Sequence, residues 1–487
     1  MQNSLVPLIF SVFPIVCLTV MSLIINIRTA AIITFLLTVA AFLYLGKPAI
    51  AVPAVMIASL GSTLNILMIV SGAIFLYETM KEAGLIEQLN ASIRSVSTEK
   101  DIIFFLITIG LTGFFEGIAG FGTPGAIVPL LLISLGYDAI TSVAVVLIFD
   151  GVFASFGAVG TPINAGIIDN LGYPIENGIK IGNLSAIFLA ITGLAFLLFS
   201  FRQYQLAHEK IKNYGTIILL YLLFAIPFMV LSPIVFELNS IISSSVMLFL
   251  SAIILNRGKL NMDMKPWLPY GFLIILLLLP KLINPLKELL SFQVTWSNIF
   301  STDLGLTLTL LRSPFFPFVF TALLVIMVKK PKVQLSGIIK KMGAVLLVLY
   351  PVICIAQMMV AKEGSFSMID NIALLTKSLG GWYPIASPFI GMTGAFITGS
   401  TTVSNLVLAA TQDLTATQLS MDNIAILALQ HSGAAIGNAI CLFNIIAACS
   451  VAGIQKNNQV LKKTLIPTLA GGAILAAAGY LYLNFLS

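Results

Sequence analysis

Charged side chains are scarce in this chain: Asp, Glu, Lys and Arg together make 9% of its 487 residues, and histidine occurs twice. An ordinary soluble domain carries about 25% charged residues. With 59% of the residues hydrophobic, a soluble fold has too little polar surface to cover its interior, so the chain reads as an integral membrane protein. Period-two alternation is missing from the apolar runs, which excludes a transmembrane β-barrel. Cysteine is sparse too. Cys17, Cys354, Cys441 and Cys449 lie inside apolar runs without ligand spacing, so they read as small packing residues rather than a disulfide framework or a metal site. Paired metal-binding acids, an HExxH and a Ser/His arrangement on spans are all missing, which argues against an intramembrane enzyme; no cofactor or metal is expected. The basic residues are scattered in short loops, where they act as topology signals and not as a nucleic-acid surface.

Hydrophobic runs are what the sequence has in plenty. They lie near 5–26, 29–46, 50–77, 102–136, 139–159, 183–201, 215–236, 241–256, 267–290, 313–328, 342–361, 382–411, 422–453 and 464–485. That makes about 12 to 14 helical spans, depending on whether the interrupted runs 102–136, 382–411 and 422–453 cross or re-enter. The first run lacks a basic flank and a small-residue cleavage site, so it reads as a retained span. Lysines and arginines concentrate in loops around 81–100, 202–212, 257–265, 329–341 and 456–463, which the positive-inside rule places on the cytoplasmic side. Segment 78–97 carries apolar residues on one helical face and charges on the other, as an interfacial helix does.

Two stretches repeat. "TGFFEGIAGFGTPGAIVPLLL" from Thr112 resembles "TGAFITGSTTVSNLVLAATQ" from Thr393, and the next elements, "VLIFDGVFASFGAVGTPI" and "ILALQHSGAAIGNAICLF", correspond at nearly the same offset. The expected organisation is a first half, 1–236, with a repeat core about 102–165, and a second half, 237–487, with a core about 382–453. Duplicated halves with helices interrupted at matching places are the sequence sign of a secondary transporter. An interruption strands backbone groups that lipid cannot satisfy, so it must face protein or a water-filled cavity. A helix restarting there aims its N–H groups into that cavity and suits an anion. Close packing of helices on small residues is the competing reading of Gly113, Gly117, Gly120 and Gly122; Pro124 and the second interruption at "TGSTTVSN" favour the cavity.

Two acids fall within apolar stretches, Glu116 and Asp150, and the only histidine so placed is His431. Intramembrane ionisable groups mark ion or proton paths by default. No Lys or Arg lies mid-span in either repeat core, so these three are the candidate ion-coupling residues, with His431 a relay, an anion contact or a satisfied core residue.

The stretches "FFEGIAGFGTP" at 114–124, "SFGAVGTPI" at 155–163 and "GAFITGSTTVSN" at 394–405, with a weaker trace at 432–453, resemble the L-lactate permease family of bacteria and archaea. The similarity in span pattern covers nearly the whole chain. The resemblance implies a multi-pass carrier of the cytoplasmic membrane that takes up a small 2-hydroxymonocarboxylate, such as lactate or glycolate, with a proton. It further implies a transport domain moving against a scaffold. The expected substrate-binding residues are Gly120, Phe121, Gly122 and Thr123 at the first interruption and Gly160 and Thr161 in the second motif. In the second half they are Ser400, Thr401, Thr402, Ser404, Asn405 and Asn438. Relatives usually carry an acid where Thr401 stands, a lysine where Asn438 stands, Ser-Pro where Leu442 and Phe443 stand, and Asn where Asp150 stands. Without that lysine, the anion must rest on helix N-termini and hydroxyls, helped by His431. An acid gained at 150 and lost at 401 implies either a relocated proton site or sodium in place of the proton. A cation/proton antiporter of related architecture is the rival reading. Partners are thus the carboxylate, the coupling ion and the bilayer; a homo-oligomer is compatible with the sequence.

Overall fold

The computed structural model describes residues 5–25, 27–120, 122–257, 263–290, 292–302, 304–308, 311, 313, 315–361, 367–455 and 457–485. The fold is 85% helical, as a backbone in lipid requires, because each N–H and C=O must be satisfied within its own segment. A short antiparallel ribbon, Val294–Trp296 against Leu306–Leu308, is paired in the register Val294↔Leu308. Among the described residues, seven helical runs are long and apolar enough to cross a membrane, and four shorter apolar helices accompany them. The protein is an all-α polytopic membrane protein. Tyr214–Leu255 is two helices, Tyr214–Val235 and Asn239–Leu255, packed on each other, and other apolar stretches of the hydropathy reading turn back or break midway.

Two of the runs, Lys100–Ala119 and Ala139–Leu171, are 100% buried over their apolar windows, against 39% for Tyr214–Leu255. The first two therefore form the centre of the molecule and the third lies at its edge. Contacts at the two ends of the centre fix the chain path. The Tyr137 hydroxyl donates to the Lys100 carbonyl at 2.5 Å. Thr123–Ser134 therefore returns to the end from which Lys100–Ala119 started, and the pair makes a re-entrant hairpin. Ala139–Leu171 begins at this same end, where the Asp138 N–H donates to His208 Nε2 (3.2 Å), and finishes at the other, where Tyr173 donates to Asp413 Oδ1 (2.5 Å). The long helix Ile175–Ala207 brings the chain back.

The second half repeats this order from the opposite end. Tyr383–Thr398 and Thr401–Gln418 form a hairpin closed by the Tyr383 hydroxyl on Gln412 Oε1 (2.6 Å). Asn423–Gly437 and Leu442–Val451 make a broken span whose end packs Ala448 and Cys449 against Val143 and Ala144. The long helix Asn457–Phe485 then recrosses, from Lys463 beside Thr141 (3.2 Å) to Tyr480 stacked on Trp382. Lys100, Lys210, Lys212, Lys462 and Lys463 gather at the first end, which the positive-inside rule makes cytoplasmic. One hairpin thus enters from the cytoplasm and the other from outside.

Helix Asn239–Leu255 covers the first hairpin along a seam of small residues. A Cβ on Gly110 would fall 2.4 Å from Leu248 Cδ2, and one on Gly117 would fall 2.6 Å from Ile241 Cγ1. Small-residue packing is therefore the role of Gly113 and Gly117, and the chain break belongs to Gly120 and Gly122. Ala51–Glu82 packs against Phe315–Lys329 and Leu335–Val360 outside this centre. Segment 78–97 is not one interfacial helix. Ala51–Glu82 continues through its first residues, the chain turns at left-handed Gly84, and Leu85–Arg94 follows, held by Ser92 between Trp267 Nε1 (3.2 Å) and the Asp263 carbonyl (3.0 Å). The run expected at 183–201 is also longer, Ile175–Ala207.

Candidate functional site

Four interruptions meet at the middle of the centre. In the first hairpin Gly120 takes φ 59°, ψ −157°, a backbone region open essentially to glycine alone. Gly122 follows at φ 75°, and Pro124 occupies the first turn of the restarted helix, where its missing N–H costs nothing. In the second hairpin Gly399 ends one arm at φ 70°, and the Ser400 hydroxyl caps the other by accepting from the Val403 N–H (3.3 Å). The second broken span is interrupted at Cys441, whose backbone is extended.

The first broken span departs from the sequence reading, which carried 139–159 as one helix. Ala158, Val159 and Gly160 run left-handed at φ 43°, 57° and 71°. Non-glycine residues rarely adopt this conformation, because Cβ crowds the following carbonyl. The strained turn is tied down on several sides. The Thr161 hydroxyl donates to the Ala158 carbonyl (2.5 Å), and Asn405 Nδ2 donates to the Pro162 carbonyl (3.0 Å). Ala158 itself presses on Gly120, where an added Cβ would lie 2.9 Å from the Ala158 Cβ.

A narrow cleft with about 30 Å³ of free volume opens between these interruptions, bounded by Glu116, Gly120, Gly122 and Asp150 from the first half and by Gly399, Ser400, Thr401, Thr402, Asn438 and Asn444 from the second. Glu116 and Asp150 are 4% and 3% exposed. Their carboxyl groups neighbour each other, and among the described residues Glu116 Oε2 and Asp150 Oδ1 have no hydrogen-bond partner. Gly157 makes room for this contact: a Cβ there would fall 2.4 Å from Glu116 Oε1. Two carboxylates side by side in an apolar interior repel each other, so such a pair is suited to share a proton. Among the described residues, no basic side chain borders the cleft.

The opposite wall is made of uncharged donors and acceptors. Thr401 and Thr402 open the 18-residue helix Thr401–Gln418, and their N–H groups precede its first intrahelical bond, Ser404 N–H to the Ser400 carbonyl (3.0 Å). Asn438 Nδ2 donates to Thr401 Oγ1 (2.7 Å), and Asn438 Oδ1 is buried without a partner. Asn444 Nδ2 closes the far side on the Gly399 carbonyl (3.4 Å) and the Asn438 carbonyl (3.3 Å).

Of the residues expected from sequence, Glu116, Gly120, Gly122, Asp150, Ser400, Thr401, Thr402 and Asn438 share this cleft. Ser404, Asn405 and His431 stand behind it. His431 Nδ1 meets Asn405 Nδ2 (2.9 Å), Ser404 donates to the Gly391 carbonyl (2.9 Å), and Gln430 Nε2 reaches Ser404 Oγ (3.3 Å) and Asn405 Oδ1 (3.4 Å). Gln412 links Gln430 (2.9 Å) to Tyr383, which completes a buried amide network. The network pins the second hairpin to the second broken span, where Gln430 and His431 lie, and Asn405 extends it to the Pro162 carbonyl of the first. Gly160 and Thr161 shape the left-handed turn: a Cβ on Gly160 would lie 2.8 Å from Glu237 Cα. Phe121 and the Thr123 side chain lie outside the described residues. Sequence reasoning passed over Ala154, Gly157, Ala158, Pro162, Gly399 and Asn444, which also border the cleft. Gly399 offered a signal as the glycine of the second interruption, and Asn444 as the first polar residue after the fourth.

The L-lactate permease sequence model matches residues 3–265 and 262–485, nearly the whole chain. The L-lactate permease of Escherichia coli K12 is 25% identical over 481 residues, covering 85% of this chain and 84% of that protein. The L-lactate permease of Streptococcus iniae is 25% identical over 387 residues, covering 73% and 79%. Glycolate permease GlcA of Escherichia coli K12 is 24% identical over 469 residues, covering 84% and 82%. A buried cleft between inverted, interrupted helices and a family match along the full length lead to one conclusion: this chain belongs to the L-lactate permease family, as a multi-pass permease of the cell membrane.

Proposed function

We propose that this permease carries a small 2-hydroxymonocarboxylate of the lactate or glycolate class together with a proton. The observation that carries the reading is the division of the cleft: a carboxyl pair without a cation on one wall, a helix N-terminus with hydroxyls and amides on the other. The first wall holds a proton because two adjoining buried acids cannot both ionise. The second receives one carboxylate through oriented N–H groups. A dicarboxylate would bring a second negative charge that no basic side chain among the described residues around the cleft neutralises. The names of the relatives, lactate and glycolate permeases, agree with that limit.

On this reading the two halves, 1–236 and 237–487, contribute their repeat cores, 102–165 and 382–453, to a shared transport unit. Ala51–Glu82, Phe315–Lys329 and Leu335–Val360 belong to the scaffold beside it. Hairpins entering from opposite sides give each face of the membrane its own gate, which is what alternating access requires.

The test is uptake into proteoliposomes of labelled lactate, with pH and sodium gradients imposed separately at clamped potential. Accumulation is expected when only the outside is acidified. Accumulation that follows sodium alone, best competition by succinate or citrate, or transport of a cation without a carboxylate would overturn the reading.

A further inference from the structure

We propose that Asn438 reads the 2-hydroxyl of the carried acid: its amide oxygen accepts that hydroxyl while the first turn of Thr401–Gln418 holds the neighbouring carboxylate. The inference rests on the monocarboxylate reading above and deepens it to a preference for 2-hydroxy over 2-oxo and unsubstituted acids.

Three observations converge on this residue. Asn438 is 6% exposed and borders the cleft. Its Oδ1 is a buried acceptor with no partner among the described residues, and an orphaned acceptor is expensive unless a ligand supplies the hydrogen. Its Nδ2 is committed to Thr401 Oγ1 at 2.7 Å, which sets the amide beside the N–H groups of Thr401 and Thr402. A carboxylate on those groups carries its 2-substituent on the adjacent carbon, toward Oδ1.

Hydrogen-bond direction gives the preference its sign. A threonine hydroxyl has one hydrogen. When Thr401 gives it to the substrate carboxylate, Thr401 Oγ1 can only accept from Asn438, and that locks Nδ2 toward Thr401 and Oδ1 toward the substrate. A 2-hydroxyl then donates to Oδ1. A 2-oxo oxygen meets a second acceptor, and a bare methylene leaves Oδ1 unpaired. Glu116 and Asp150 also have open oxygens, but these belong to the contacting pair and neither lies on the restarted helix.

Counterflow of labelled lactate in proteoliposomes, with lactate, pyruvate and propionate as unlabelled competitors, tests this. In the wild type, lactate should compete about tenfold better than either analogue, the worth of one satisfied rather than orphaned hydrogen bond. Asn438→Leu should weaken lactate about tenfold and leave propionate within about twofold, on the same estimate. Thr401→Val, nearly isosteric, keeps the test open should Asn438→Leu not fold. It removes the lock, so the amide can turn its NH2 to a 2-oxo group and pyruvate should gain on lactate. Wild-type protein that takes up lactate without preferring it to pyruvate and propionate overturns this inference alone, as does an Asn438→Leu that weakens all three acids equally. Wild-type protein that exchanges no monocarboxylate overturns the transport reading and this inference with it.

Discussion

The two re-entrant hairpins share a plan and differ in chemistry. Each runs to the middle of the molecule, breaks at a left-handed glycine, Gly122 or Gly399, and turns back as a restarted helix. At the first tip an acid stands one turn before the break, Glu116, paired to Asp150 of the following span. At the corresponding places in the second half stand Ile397, for Glu116, and Gln430, for Asp150, the latter bonded to Gln412 instead of facing the cleft. One tip is suited to a proton and the other to an anion. Neither does both, so coupling on the proposed mechanism has to pass between halves, through a cleft that both must close around.

Removing the acid from the first tip should produce the largest effect. Glu116→Gln keeps shape and a polar contact but cannot release a proton. Uphill uptake under a pH gradient should disappear, while exchange of labelled for unlabelled lactate continues, because the anion wall is untouched. Accumulation by Glu116→Gln equal to wild type would show that the two tips are not specialised as described.

A smaller loss should follow from crowding the same acid without altering it. At Gly157 an added Cβ would fall 2.4 Å from Glu116 Oε1, closer than real Cβ contacts allow, so Gly157→Ala must push the carboxyl off Asp150. Displacement of a working group by about an ångström can cost up to about a hundredfold; uptake should fall at least about tenfold. Thermal unfolding in detergent separates this from a folding defect: the melting temperature should move by only a few degrees, since overpacking costs about 1–3 kcal/mol. A Gly157→Ala protein with wild-type uptake would mean that the contact of the two carboxyls is dispensable.

How far this site was legible in the sequence depended on which residues made each break. The breaks at Gly120–Gly122 and Gly399–Ser400 are written in glycine, proline and hydroxyl residues, whose backbone preferences announce a turn. The break at 157–160 is not. Ala158 and Val159 hold left-handed conformations that their side chains disfavour, and they do so because Thr161, Asn405 and Gly120 press on them from three directions. Tertiary contacts impose that turn, and no local pattern encodes it. Glu116 and Asp150 stood out because ionisable groups are rare in apolar runs. Their contact with each other was not visible, since it joins two helices. His431 attracted attention for the same rarity, yet the ring belongs to the amide network behind the cleft. Rarity identifies a polar side chain inside a membrane helix, but the face it occupies is decided by neighbours on other elements.

The smallest predicted effect gives the finest comparison, because it separates two hydroxyls on a single helix. Thr402 borders the cleft, and Ser404, two residues on, turns away and donates to the Gly391 carbonyl (2.9 Å) across the hairpin. Removing one uncharged hydrogen bond costs about 0.5–1.5 kcal/mol, but the two substitutions should put that cost in different places. Thr402→Ala should weaken lactate several-fold in competition assays and leave the melting temperature nearly unchanged. Ser404→Ala should leave affinity within about twofold and lower stability by about 1 kcal/mol, because the tie between Tyr383–Thr398 and Thr401–Gln418 is lost. Close packing makes that tie hard to replace: a Cβ on Gly394 would fall 2.3 Å from Ser404 Oγ, so the two arms touch at this point. If Ser404→Ala weakened lactate as much as Thr402→Ala did, the second tip would be binding substrate along its whole first turn. The line drawn here between cleft and supporting network would then have to move one helical position deeper.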